Sequence, residues 1–159
     1  MKADPDKTID RKAIVAWRTV GGLRSLVFWI APAVIVLFAL AGNLSWWIFY
    51  ATLAFAVLNT TLAMFIIPPL RWKYWRYAID EKEIDLKRGF LFITRTLIPI
   101  KRVQHVDTRQ GPIFRDLGLS SVTISTAATV HEIPALNQEV AEELREVIAK
   151  YARLSADDI

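Results

Sequence analysis

From Ser25 to Leu70 the chain carries no Asp, Glu, Lys, Arg or His. A soluble core would have to bury all forty-six of these mostly apolar residues, in a chain of 159. A bilayer solvates them directly, so the chain reads as a membrane protein. As one helix the run would be roughly 70 Å long, against a hydrocarbon core of about 30 Å. The chain must therefore break. "AGNLS", Ala41 to Ser45, supplies the turn residues for it. Two spans are expected, Leu23 to Ala41 and Trp46 to Ile67. Pro32 should bend the first, and Pro68-Pro69 should stop the second cleanly. Trp29, Trp46, Trp47, Trp72 and Trp75 lie where interfacial aromatic belts form.

The flanks give the orientation. Arg11, Lys12, Arg18 and Arg24 precede the first span, Arg71, Lys73 and Arg76 follow the second, and the turn between them is uncharged. By the positive-inside rule both termini are cytoplasmic, which puts a multi-pass protein in the inner membrane. A cleaved signal peptide is the rival, since "ALA" at Ala39 to Ala41 has the small-x-small form of a cleavage site. Even after cleavage the second span would leave the C-terminal half in the cytoplasm. The expected organisation is a cytoplasmic segment over 1–22, a hairpin over 23–70, a cytoplasmic domain over 71–154 and a frayed tail over 155–159.

Beyond Arg71 the hydrophobic period shortens to that of strands. "YWRYAID", "IDLKRG", "FITRTLIPI", "RVQHVDTRQ", "SVTIST" and "TVHEIP" follow one another with turn signals between them. They predict an antiparallel sheet that curls into a small barrel or a packed pair. The last segment reads as an amphipathic helix capped by Asn137, with Val140, Leu144, Val147, Ile148 and Tyr151 on its apolar stripe. The fold class is membrane-anchored α+β, with the helix closing one end of the barrel.

The segment "IPIKRVQHVDTRQGPIFRDLGLSSVTI", Ile98 to Ile124, carries a resemblance. Ile98-Pro99, Lys101-Arg102, Val103-Gln104, Gln110-Gly111, Arg115 and Gly118-Leu119 match, position by position, a pattern of the YdbS-like family of bacterial membrane proteins. The Trp72 to Tyr77 region and "EELREVI" at Glu142 to Ile148 fit as well. The resemblance runs from Arg24 to about Leu154. It implies a pleckstrin-homology-like (PH-like) barrel with a C-terminal capping helix, anchored at the inner face of the membrane. It implies no catalytic residue and no cofactor. Members often occur beside a larger protein with several such domains, which implies a shared complex with another PH-domain membrane protein. The hairpin "AATVHE" departs from the pattern, where a glycine-richer turn is expected.

Candidate functional residues fall into three groups. Arg71, Trp72, Lys73, Trp75 and Arg76 sit at the membrane exit, where cations and indoles suit anionic headgroups. The competing view is that these charges only fix topology. Lys82, Lys87, Arg88 and Arg115 are candidates for a headgroup or partner contact on the barrel, against a mixed, solvated edge in which Asp80, Glu81, Glu83 and Asp85 interleave. Asn59, Thr60 and Thr61 are intramembrane polar groups suited to helix–helix contact.

No catalytic or metal-binding set is expected. Cysteine is absent, and His105 and His131 lack partners at ligand spacing. His131-Glu132 carries no surrounding signature, and Asp107, Asp116, Ser120, Ser121 and Ser125 form no triad order. Nucleic-acid binding is not expected, because the basic residues are dispersed or membrane-proximal. The implied partners are membrane lipids and a protein, either a second PH-domain membrane protein or another copy of the chain. The expected function is a non-enzymatic membrane scaffold. The alternative is an accessory subunit of a transport, export, envelope-stress or antimicrobial-resistance system.

Overall fold

The structure is a computed structural model and describes residues 4–42 and 45–157. It divides into two compact units, Ile14–Pro69 and Met1–Ala13 with Leu70–Ile159.

The first unit is helical. Helix α1 covers Ala13–Leu40 and helix α2 covers Trp46–Thr61. Asn43 and Leu44 of the expected turn lie outside the described residues. Only 17% and 11% of the most apolar windows of the two long helices are buried, so these are not core helices of a soluble protein. Leu23, Leu26, Val27, Ile30 and Leu37 on α1, and Trp47, Phe55 and Leu58 on α2, point outward.

The second long helix does not stop at Pro68-Pro69, contrary to expectation. It passes through a π-helical turn, Leu62–Ile66, into α3, Ile67–Tyr74, and is continuous from Trp46 to Tyr74. A π turn widens the helix just where the proline rings would collide with the preceding carbonyls. One defect remains. The residues four and five positions after Met64 are Pro68 and Pro69, and neither has an N–H to give its carbonyl. Arg18 of α1 donates instead, Nε to the Met64 oxygen at 3.0 Å, and its guanidinium lies 5.7 Å from the Phe65 ring centroid. Gly21 makes this approach possible, since a Cβ there would sit 2.6 Å from the Ala63 carbonyl oxygen. Arg18 is thus a structural ligand of the hairpin.

Among the described residues the second unit holds seven strands in two antiparallel sheets. One has the order β1 (Lys7–Thr8), β2 (Arg76–Ile79), β3 (Glu83–Arg88), β4 (Thr94–Pro99). The other has the order β5 (Val103–Arg109), β6 (Leu119–Thr126), β7 (Val130–Asn137). A 3₁₀ turn, Ile100–Arg102, carries the chain from β4 to β5 without pairing them, so the sheets form a packed pair and not a closed barrel. Ile84, Leu86, Ile98, Ile100, Val122, Ile124 and Ile133 fill the space between them. Helix α5, Gln138–Asp157, packs on β5, β6 and the 3₁₀ turn. Asn137 accepts from the Glu139 N–H at 3.0 Å, as its capping role requires. The buried stripe of α5 is Ala141, Leu144 and Ile148, whereas Val140 is exposed. The helix also runs through Asp157, past the expected start of the tail, and Asp158 and Ile159 lie outside the described residues.

The N-terminal segment is part of this unit. β1 pairs with β2, Lys7 opposite Tyr77 and Thr8 opposite Arg76. Ile9 is 2% exposed, and the Asp10 N–H donates to the Ala135 carbonyl at 3.1 Å. That carbonyl is turned toward the arm by a bulge in β7, where Ala135 has φ 51° and the pairing with β6 shifts. Further along the sheet, Arg95 forks onto Asp85, with Nη2 to Oδ2 at 2.6 Å and Nε to Oδ1 at 3.1 Å. Asp4 joins through Lys87 at 2.6 Å. The Lys87 ammonium, with Arg95 beyond it, holds the Asp4 carboxyl below the ordinary aspartate range. While the Lys87 ammonium is charged, this pair helps hold the arm above the ordinary aspartate range, and the help is lost as pH falls from that range through the depressed value.

Two stability predictions follow from these contacts. Arg18→Leu should destabilise the hairpin by about 1–3 kcal/mol, the usual cost of an orphaned buried acceptor. The loss should shrink in a Pro68→Ala, Pro69→Ala background, where backbone N–H groups return. Thermal unfolding of the four variants in one detergent measures the coupling, and equal losses in both backgrounds contradict it. Arg95→Leu should destabilise the sheet unit, because it strands the buried Asp85 carboxylate. Asp85→Asn should cost less. Amide exchange across β3 and β4 distinguishes the two variants, and equal protection in both contradicts the assignment.

Candidate functional site

The membrane-exit residues do not share one environment. Arg71 and Lys73 are exposed on α3, and the Lys73 ammonium lies 5.9 Å from the Tyr74 ring centroid. Trp72 is half-buried, and its indole N–H donates to the Ile9 carbonyl at 3.1 Å. Trp75 is 4% exposed and lies inside the sheet unit, so its ring is not presented to a headgroup layer. Both indoles hold the fold: Trp72 secures the N-terminal arm, and Trp75 fills the core beside Tyr77. Arg76 sits half-buried in β2, with Nη1 on the Trp75 carbonyl at 3.1 Å. Of the five residues, Arg71 and Lys73 keep exposed cationic side chains at the helix end.

The barrel candidates also separate. Lys82, before β3, and Arg88, at its far end, are roughly 20 Å apart at 3.4 Å per strand residue. Lys87 is engaged by Asp4, and Arg115 is exposed on the short helix α4, Pro112–Asp116. In α4 Ile113, Phe114 and Leu117 turn inward to partial burial while Arg115 and Asp116 face out. The Gly118 N–H closes the turn on the Arg115 carbonyl at 3.0 Å. "RQGPIFRDLGL" is therefore a folded corner leading into β6.

In the helical unit, the Trp29 indole N–H donates to Thr60 Oγ1 at 3.1 Å, and Thr60 in turn donates to the Ala56 carbonyl at 2.8 Å. Thr61 donates to the Val57 carbonyl at 2.8 Å. Thr60 thus links the two helices, while the side chain of Asn59 meets no partner among the described residues.

The sequence did not single out the seam where the sheets part. β4 and β5 are each the last strand of a sheet, and along both most side chains are exposed. A groove of about 530 Å³ lies along the seam, with Leu97, Lys101, Arg102, Gln104 and His131 in its walls. A second, of about 890 Å³, runs from Lys82, Lys101 and Arg102 to Tyr151 and Leu154 on α5. The groove is rimmed by the turn Thr126 to Thr129, where the departure from the glycine-rich pattern is resolved by hydroxyls. The Thr126 Oγ1 donates to the Thr129 carbonyl at 2.8 Å and accepts from the Thr129 N–H at 3.1 Å. Unpaired strand edges with exposed cations between them can accept an extended peptide by backbone hydrogen bonding.

His131 is bonded through Nε2 to Thr129 Oγ1 at 2.8 Å, and Glu132, the next residue along β7, points to the opposite face. Ser120 and Ser121 are buried in β6.

Comparison with known proteins agrees with this architecture. Residues 18–152 match the family described as Bacterial PH domain. The chain is 38% identical over 159 residues to the UPF0699 transmembrane protein YdbS of Bacillus subtilis (strain 168), covering 100% of both chains. It is 27% identical over 106 residues to the UPF0699 transmembrane protein YdbT of the same organism, which covers 64% of this chain and 21% of that protein. No solved structure matches. A pair of outward-facing apolar helices, two packed antiparallel sheets, a C-terminal capping helix and a full-length relative lead to one assignment: the chain belongs to the bacterial PH domain family, among the UPF0699 transmembrane proteins.

Proposed function

We propose that this chain is a non-enzymatic scaffold at the inner face of the cytoplasmic membrane, and that it recruits a larger membrane protein carrying domains of its own kind. The observation that carries this is the open seam. β4 and β5 leave two unpaired edges beside a groove whose walls include Lys101 and Arg102. A strand from a partner would satisfy those backbone groups, and its acidic side chains would meet the two cations. The partner class is supported by the pair of relatives in one organism, one matching the whole chain and one a much larger protein sharing a related region. The basic residues on both flanks of the hairpin support a cytoplasmic location for both termini. Arg71 and Lys73 would add attraction to anionic lipid of roughly 1 kcal/mol each.

Asn59 supports a second reading, an accessory subunit of a transport, export or envelope-stress system. Its amide lies near the middle of the helix Trp46–Tyr74 and would bind a partner's span there.

Photo-crosslinkers placed singly at Gln104 and at Glu146 in native membranes test the seam. The expected outcome is an adduct at Gln104, and none at Glu146, whose second chain is a membrane protein with PH-domain sequence. Uncrosslinked chain at both positions contradicts the proposal. An adduct formed only from a crosslinker at Asn59 favours the accessory-subunit reading.

A further inference from the structure

The hairpin joining β3 to β4 ends in a tip with the sequence Gly-Phe-Leu-Phe-Ile, residues 89–93. Phe92 and Ile93 have the composition of a strand, but β4 does not begin until Thr94. The reason lies in the turn. Gly89 has φ 98°, and a Cβ on it would fall 2.0 Å from the Phe92 carbonyl oxygen, so the chain doubles back too tightly for pairing to reach the end. In a half-buried strand alternate side chains would enter the core. Here all four face out: Phe90 is 50% exposed, Leu91 75%, Phe92 88% and Ile93 63%. A contiguous apolar knob of this kind, uncharged from Gly89 to Ile93, marks a surface meant to be covered.

Its neighbours indicate what covers it. The Phe90 ring lies 6.1 Å from the ring of Tyr74, the last residue of α3 and of the long apolar helix Trp46–Tyr74. The tip is therefore held beside the C-terminal end of that helix. Exposed cations surround the contact, Lys73 preceding Tyr74 and Arg88 preceding Gly89. Apolar and aromatic side chains framed by Lys and Arg, next to the end of a span, have the chemistry of a segment seated in the headgroup and acyl boundary. We propose that the Phe90–Ile93 tip inserts into the lipid surface beside the span, giving the sheet unit a second hold on the membrane. This contact does not depend on the seam or on any protein partner.

The absence of cysteine allows a direct test. Phe92→Cys, Leu91→Cys and, as a control, Ala128→Cys in the exposed β6–β7 turn would each be spin-labelled. The full chain would then be reconstituted in vesicles of phosphatidylethanolamine and phosphatidylglycerol. At positions 92 and 91 the label should collide more with dissolved oxygen than with a water-soluble nickel chelate, and at 128 the order should reverse. Labels at 92 and 91 as open to the nickel chelate as the label at 128 overturn the proposal. So does protection from both reagents at 92 and 91, which would mean that protein, or a second copy of this chain, covers the tip.

Discussion

Backbone hydrogen bonds that lipid cannot supply govern this molecule. An apolar run of this length must cross a bilayer as helix, because every N–H and C=O in the hydrocarbon has to be answered within the protein. Two successive prolines break that rule at Met64, and the repair comes from the other helix, through Arg18. The hairpin is thus held by a contact that joins its two arms near the flanking ends. Gly21 permits the close approach, and the π turn makes room for the proline rings. These features become one device once the missing N–H groups are counted.

A hairpin returns the chain to the side from which it started, and the sheet unit depends on that return. Its first strand precedes the helices and its second follows them. Their pairing, the Ile9 side chain in the core, the Trp72 bond to the Ile9 carbonyl and the Asp10 bond to Ala135 tie both flanks into one folded body. The Asp85–Arg95 fork, with Lys87 and Asp4 beside it, gives the same sheet a polar network that the apolar core alone would not specify.

Much of this was legible from residue pattern. Six strands fall close to the runs of β-branched and aromatic residues, and Asn137 caps the last helix as its position suggests. The strand β1 was not legible, because two polar residues carry no period, and a single Ile9 among charges looks like any exposed apolar residue. Trp75 was misleading for a related reason. Proximity to a span suggested an interfacial ring, but the strand that follows turns it inward. Helix propensity placed a stop at Pro68-Pro69, whereas the π turn and the Arg18 bond from the other helix support its continuation. On α5 the buried stripe takes Ala141 and not Val140. The seam between β4 and β5 is a property of which strands fail to pair, and no local pattern encodes it.

The claim on which the rest stands is that the segment before the helices and the segment after them form one sheet. Thr8 and Arg76 face each other in the β1–β2 ladder, and the chain has no other thiols to compete. Thr8→Cys with Arg76→Cys, oxidised in native membranes, should give an intramolecular disulfide that shifts electrophoretic mobility and reverses with reductant. Two free thiols after oxidation, or a disulfide formed only between chains, would contradict the account.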